Sequence, residues 1–285
     1  MTDYGHELKF GTFITPVSAD PFKVVDLAVL SDRLGYDLVS FQDHPYQPAL
    51  LDAWSLLAYV AARTERIHLS ANVSNLPLRL PVLLARGSAT IDLLSNGRFE
   101  LGIGAGGFWD AIEAVGGRRL NPGDAVDALE EAIQIIQQLW NTKESGGARF
   151  EGQFYSLSGA KRGPQTPHQI SINVGAYRPK MLDLVGRYAD GWIPSFGYLP
   201  SVESLEQMNA AIDSGARKAN RDPKQIRRWI NINFENATIE QLSRLALEFG
   251  ISGFILASDS EAEIVRFFGE QAQQLRESVA LARQG

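Results

Sequence analysis

LPVLLARGSATIDLLSNGRFELGIGAG, residues 80–106, packs a helix, a stop and a strand into one short run. Proline is pre-organised for the first turn of a helix, so Pro81 opens a helix predicted over 81–94. Ser95-Asn96-Gly97 ends it, because Asn and Gly accept the left-handed backbone of a helix stop. Phe99 then begins an apolar strand predicted over 99–103, which runs into Gly102-Ile103-Gly104-Ala105-Gly106-Gly107. Helix, tight turn, buried strand and glycine-rich exit form one repeat of a parallel βαβ chain.

The same rhythm continues on both sides. Toward the N-terminus, strands are predicted over 8–14, 37–41 and 67–73, with helices over 21–34 and 52–63. Asp20 and Pro21 mark the first helix start and Gly35 its stop. Toward the C-terminus, Val126, Leu129, Ile133, Ile136 and Trp140 recur at helical spacing and place a long helix over 122–140. A hairpin or loop excursion follows over 150–157, punctuated by Gly146, Gly147 and Gly152. Strands over 170–174, 191–194, 228–234 and 253–257 alternate with helices over 179–188, 202–219, 239–249 and 261–268, and a helical tail runs to residue 282. Eight strand–helix units with no linker between them favour a single-domain (β/α)8 TIM barrel with a short insertion after the fourth strand. An open doubly wound sheet is the alternative, since periodicity does not reveal closure.

The 285 residues carry a formal charge of −6. That balance argues against nucleic acid as a partner, which calls for a basic stripe. There is no cysteine. Disulfides, thiolate metal sites and cysteine nucleophiles are therefore excluded, and a reducing compartment such as the cytoplasm is expected. The polar start from Met1 to Lys9 lacks the apolar core of a signal peptide, and no apolar run is long enough to span a bilayer. No spacing of His, Asp and Glu resembles a metal-ligand set, so no metal is expected.

In a barrel, chemistry belongs at the carboxyl ends of the strands. The second strand ends in Gln42-Asp43-His44-Pro45. A His beside an Asp there suits a base, a proton donor or a partner for a cofactor ring, and equally a turn capped by Asp43. His6, His68 and His168 read as structural or solvent-exposed. The third strand leads into Ser70-Ala71-Asn72-Val73-Ser74-Asn75, polar enough to meet a ring edge or to make a plain turn. The fourth ends in the glycines, formally G-x-G-x-x-G. Placed this late in the chain, they mark close approach of backbone to something flat or bulky, or a tight turn that needs positive φ, rather than a dinucleotide fingerprint. Phe108, Trp109 and Asp110 follow, suited to walling a pocket or to packing the next helix. The fifth strand passes through Val174-Gly175-Ala176-Tyr177-Arg178 into a helix, where free N–H groups suit a phosphate.

Three segments carry a family resemblance: residues 80–106, VGAYRPKMLDLVGRYADGWIPS (174–195) and SFQDHPY (40–46). The chain resembles the bacterial luciferase-like monooxygenase superfamily over nearly its whole length, including a last helix in FFGEQAQQLRESV. Within it, the Asp-His pair resembles the branch that uses the deazaflavin coenzyme F420. The resemblance implies an F420-dependent oxidoreductase that moves hydride to or from a small-molecule substrate. FMN with oxygen, in a monooxygenase of the same fold, is the alternative, and a non-catalytic flavin-binding barrel a further one. It implies Asp43 and His44 beside the ring, with His44 as acid/base, and a cis peptide at Asn72–Val73 behind it. Asn75, Gly104, Ala105 and Gly106 would border the cofactor. Val174, Gly175, Ala176 and Tyr177 would hold its phosphate, and Phe13, Trp109 and Trp192 would shape the substrate pocket. A homodimer burying the early helices is also implied. Sugar-phosphate dehydrogenases of that branch carry a Glu where Gly107 stands here, and the stretch between Phe234 and Ile239 is short, so their substrate does not transfer.

Overall fold

Eight parallel strands form the frame: β1 (Lys9–Ile14), β2 (Leu38–Phe41), β3 (His68–Ala71), β4 (Phe99–Gly104), β5 (Ile172–Val174), β6 (Gly191–Trp192), β7 (Arg227–Asn233) and β8 (Gly253–Ala257). This is a computed structural model, and it describes residues 3–284; Met1 and Thr2, at the start of the polar N-terminal stretch, lie outside them. Each strand pairs with the next in sequence. The ring closes where Lys9 of β1 pairs with Gly253 of β8, and it is continuous where Leu69 and Ser70 of β3 pair with Phe99 and Glu100 of β4. Closure removes the open-sheet alternative, and with it the dinucleotide reading of the glycines.

Among the described residues, ten α-helices accompany the strands: α1 (Pro21–Leu34), α2 (Ala53–Ala61), α3 (Pro81–Leu94), α4 (Trp109–Ala114), α5 (Pro122–Trp140), α6 (Pro179–Tyr188), α7 (Ser204–Lys218), α8 (Ile239–Phe249), α9 (Glu261–Arg266) and α10 (Gln273–Gln284). Their starts are chemically marked. Asp20, Asp52, Asn121 and Thr238 each accept a first-turn N–H through the side chain. Gly35 and Gly250 close α1 and α8 in the left-handed conformation. A hairpin of Ala148–Glu151 and Ser156–Ala160 follows α5 and forms the insertion.

Alternation along the strands builds two cores. Outward residues such as Val39, Phe41, Ile230 and Ile232 pack beneath the helices in the main cluster. Inward residues Leu38, Ile193, Trp229 and Ile255 fill the lumen, with Phe13 packed on them. The Trp229 indole fits because Gly253 faces it: a Cβ there would stand 2.1 Å from the ring. The lumen is thus plugged in its middle, which separates the carboxyl mouth from the amino end.

The third strand differs from the 67–73 expected. It stops at Ala71, the Asn72–Val73 peptide is cis, and Ser74–Asn75 resumes pairing beside Ile103 and Gly104. The chain is stepped sideways at the mouth, as the family resemblance implied.

Candidate active site

The cis bulge is the centre of the mouth. The Val73 side chain points between two glycines on neighbouring strands. A Cβ on Gly104 would lie 2.7 Å from its Cγ2, and one on Gly175 would lie 3.4 Å away. The third, fourth and fifth strand ends therefore meet at one spot, with backbone rather than side chain flanking Val73. Ala105 and Gly106 continue the floor. Gly106 adopts φ 102° and has Pro77 and the Trp109 ring against its missing Cβ, so no larger residue fits. Gly107 has nothing within 4 Å of that position and faces open space.

A belt of hydrogen bonds joins the other strand ends. Asn72 Nδ2 donates to Asn231 Oδ1 at 2.7 Å, and Asn231 Nδ2 donates to Ser195 Oγ at 3.1 Å. The Ser195 N–H donates to the Tyr177 hydroxyl at 2.7 Å. Ser40 donates to the Thr12 carbonyl, so β1, β2, β3, β6 and β7 share one polar ring above the Trp229 plug. Asn231 and Ser195 were not singled out in the sequence. Alternation along β7 puts Asn231 inward, and that was the available signal.

His44 stands at the rim. Its ring is half-buried, 5.4 Å from the Tyr46 ring and 5.5 Å from that of Phe108, centroid to centroid. Burial pulls the imidazole below its ordinary pKa, and the neighbouring Asp43 carboxylate opposes this only in part. Phe108 is well exposed and takes φ 54°, a left-handed backbone that is costly for a bulky residue. It turns the chain from the glycine floor into α4, whose first residue, Trp109, folds back over Gly106.

Three expected residues take other places. Asp43 is buried and has no free oxygen. Arg79 grips it through Nε and Nη2, both at 2.7 Å, and the Asn75 N–H donates to it at 2.9 Å. It is thus a positioning residue for the bulge, and Arg79 continues to Asp52. Trp192 is fully buried on the outer face of β6, among the helices, and donates from Nε1 to the Ala176 carbonyl at 2.9 Å. Trp192 props the Ala176 turn instead of lining a pocket, because it is the outward residue of β6. Phe13 faces the lumen but packs on the plug beneath the belt.

After β5 the chain passes through half-buried Gly175 and Tyr177 to Pro179, the first residue of α6, and no side chain caps that helix. Its first N–H groups remain available to an anion. Val174 and Ala176 are buried and fix the turn. The flat glycine floor, the bulge and the uncapped helix start lie along β3, β4 and β5. This suits a planar ring with a phosphate-bearing tail.

At the amino end, the fold assembles a group that no sequence spacing indicated. His68, Glu100 and His168, far apart in sequence, place ligand atoms within 4.8 Å of one another.

Comparison with known proteins agrees with this architecture. The family described as luciferase-like monooxygenase matches residues 8–284. An F420-dependent glucose-6-phosphate dehydrogenase of Kineococcus radiotolerans is 32% identical over 238 residues, covering 80% of this chain and 68% of the relative. The corresponding protein of Microbacterium testaceum is 30% identical over 221 residues, 75% of this chain and 64% of that one. The chain thus spans about two thirds of the length of these relatives. An F420-dependent secondary alcohol dehydrogenase solved with an F420–acetone adduct superposes with a TM-score of 0.82 at 17% identity, covering 95% of this chain and 99% of that one. This chain belongs to the luciferase-like monooxygenase family.

Proposed function

We propose that the protein is a coenzyme F420-dependent oxidoreductase acting on a small organic substrate. The observation that carries the reading is the convergence of Val73, Gly104 and Gly175 at the barrel mouth, taken with relatives named for F420 dependence. When bound, the deazaflavin supplies a carbon that accepts or donates hydride. The protein's part is to hold, orient and move a proton. The backbone of Gly104, Ala105 and Gly106 and the Val73 side chain would support the ring, with Asn72 and Asn75 at its edge. Val174 to Tyr177 and the α6 start would hold the phosphate. His44, neutral near pH 7 because burial lowers its pKa, is placed to take the proton of an alcohol as its carbon is oxidised, or to return it to a carbonyl in reduction. Phe108 and Trp109 would cover the substrate.

Glucose 6-phosphate is not the proposed substrate, since Gly107 offers no carboxyl where the resembling dehydrogenases carry Glu. An alcohol or ketone is a better class. We further place the protein in the cytoplasm as a homodimer burying its early helices. An apolar groove between α1 and α2, lined by Phe22, Val25, Leu56 and Tyr59, supports that pairing. Among the described residues, no helix is long and apolar enough to cross a membrane.

Titration of the purified chain with F420 and, separately, with FMN tests the cofactor. Saturable quenching of F420 fluorescence at one equivalent is expected, with FMN binding at least ten-fold weaker. Tight binding of FMN with no response to F420 would replace this reading by the FMN-dependent one.

A further inference from the structure

The amino end of the barrel holds a cluster with no part in the reaction just described. His68 opens β3, Glu100 is the second residue of β4, and His168 lies in the loop before β5. His68 Nδ1 is 2.8 Å from Glu100 Oε1, and His168 Nε2 is 3.5 Å from the same oxygen. The two imidazoles meet edge to face with centroids 6.0 Å apart.

The surroundings hold these groups in place. The Ser171 N–H and hydroxyl both donate to Glu100 Oε2, which leaves Oε1 turned toward the histidines. Asp92 is fully buried, caps the Phe99 N–H, and stands 2.8 Å from His168 Nδ1. Yet among the described residues neither His168 ring nitrogen makes a hydrogen bond of proper geometry, and Asp92 Oδ2 also lacks a partner. Buried polar atoms rarely stay unpaired, so several at one point call for something that satisfies them.

The geometry points to a divalent transition-metal site of the zinc class at the amino end of the barrel, with His68 Nδ1, Glu100 and His168 Nε2 as its protein ligands. Two imidazoles and a carboxylate are a donor set that zinc, cobalt and nickel share, and their mutual spacing is close to that of ligands around one tetrahedral ion. Asp92 would be the carboxylate partner that commonly orients a metal-bound imidazole, once the ring turns to donate Nδ1–H to it. A fourth position would open onto a polar cavity of about 250 Å³, lined among others by Ser171, Asn173 and Asp190, which has room for water. The ligands come from β3, β4 and the approach to β5. The ion would therefore clasp the β3–β4 seam, and the Trp229 plug separates it from the mouth. Its role would be structural.

Cobalt(II) and zinc(II) titrations of the chelator-stripped full chain test this. Cobalt at one equivalent is expected to give the visible bands of a four-coordinate N/O site. His68→Ala and His168→Ala should each weaken binding by more than the about 10–100-fold that loss of an outer-shell partner costs. In the zinc-loaded wild type, X-ray absorption should show two imidazole nitrogens on the metal, a readout that depends on no variant folding. No cobalt bands, binding unchanged in the folded variants, or an absorption spectrum without imidazole would each overturn the proposal. None of these outcomes bears on F420 binding at the opposite end.

Discussion

His44 concentrates the chemistry of the mouth on one side chain. Half-buried between Tyr46 and Phe108, its imidazole is held below the ordinary histidine pKa of about 6.5 by desolvation. If it moves the substrate proton, His44→Ala should lower kcat by about 10²–10⁴-fold. For oxidation of an alcohol the neutral form is the active one. Turnover should therefore fall as pH drops through the depressed value, and that acid limb should lie below the range of a free histidine. A pH series of kcat/KM in wild type and variant checks both points, and an unchanged limb in His44→Ala would assign the proton transfer elsewhere. The neighbouring Asp43 shows what a short motif conceals. The sequence places the two side by side, and a catalytic pair is the natural reading. The Arg79 that consumes the Asp43 carboxylate is 36 residues away, and only the fold brings it there.

Element boundaries were legible where a side chain marks them. α1, α5 and α8 begin where a capping side chain satisfies an orphan N–H, and α3 and α6 begin at a proline that has none to satisfy. Strand ends were less legible. A strand stops where its neighbour stops, and the two-residue β6 is set by β5 and β7 rather than by its own sequence. Contacts between elements were hidden altogether. Asp32, near the end of α1, receives the N–H groups of Glu65, Arg66 and Ile67 at 2.9, 3.1 and 2.8 Å and so fixes the entry into β3. Burial pushes its carboxyl pKa up, but the three donors outweigh this and the net shift is downward. Asp32→Ala should cost about 2–4 kcal/mol by leaving those donors unpaired. The sign with pH follows from the lowered value. The carboxylate's contribution is fully present above the ordinary range, about 3.9 for an unfolded Asp, and is lost as pH falls through the folded pKa. The stability gap between wild type and variant in urea melts should therefore narrow in acid. A gap independent of pH would mean that the charge contributes nothing.

At the level of the molecule, eight strand–helix units were readable, but their closure was not, since closure depends on which strand lies next to which. It needs both the β1–β8 pairing and the β3–β4 seam. Clustering of His68, Glu100 and His168 was hidden for the same reason: the seam brings together residues that no spacing rule connects. Gly102 tests whether the seam is as tight as the pairing suggests. A Cβ there would stand 1.9 Å from the Ala71 carbonyl oxygen, which is backbone of the adjoining strand and cannot rotate aside. Gly102→Ala should therefore force β3 and β4 apart and destabilise the fold by about 3 kcal/mol. Gly107→Ala is the matched control, in the same glycine run but with nothing within 4 Å of the added carbon. That change should stay within about 0.5 kcal/mol of wild type. Urea midpoints measured side by side, with slopes compared to confirm a common unfolded state, give both numbers. Equal midpoints would mean that the two strands are not seamed at Gly102, and the clustering of the amino-end ligands would lose its structural basis with them.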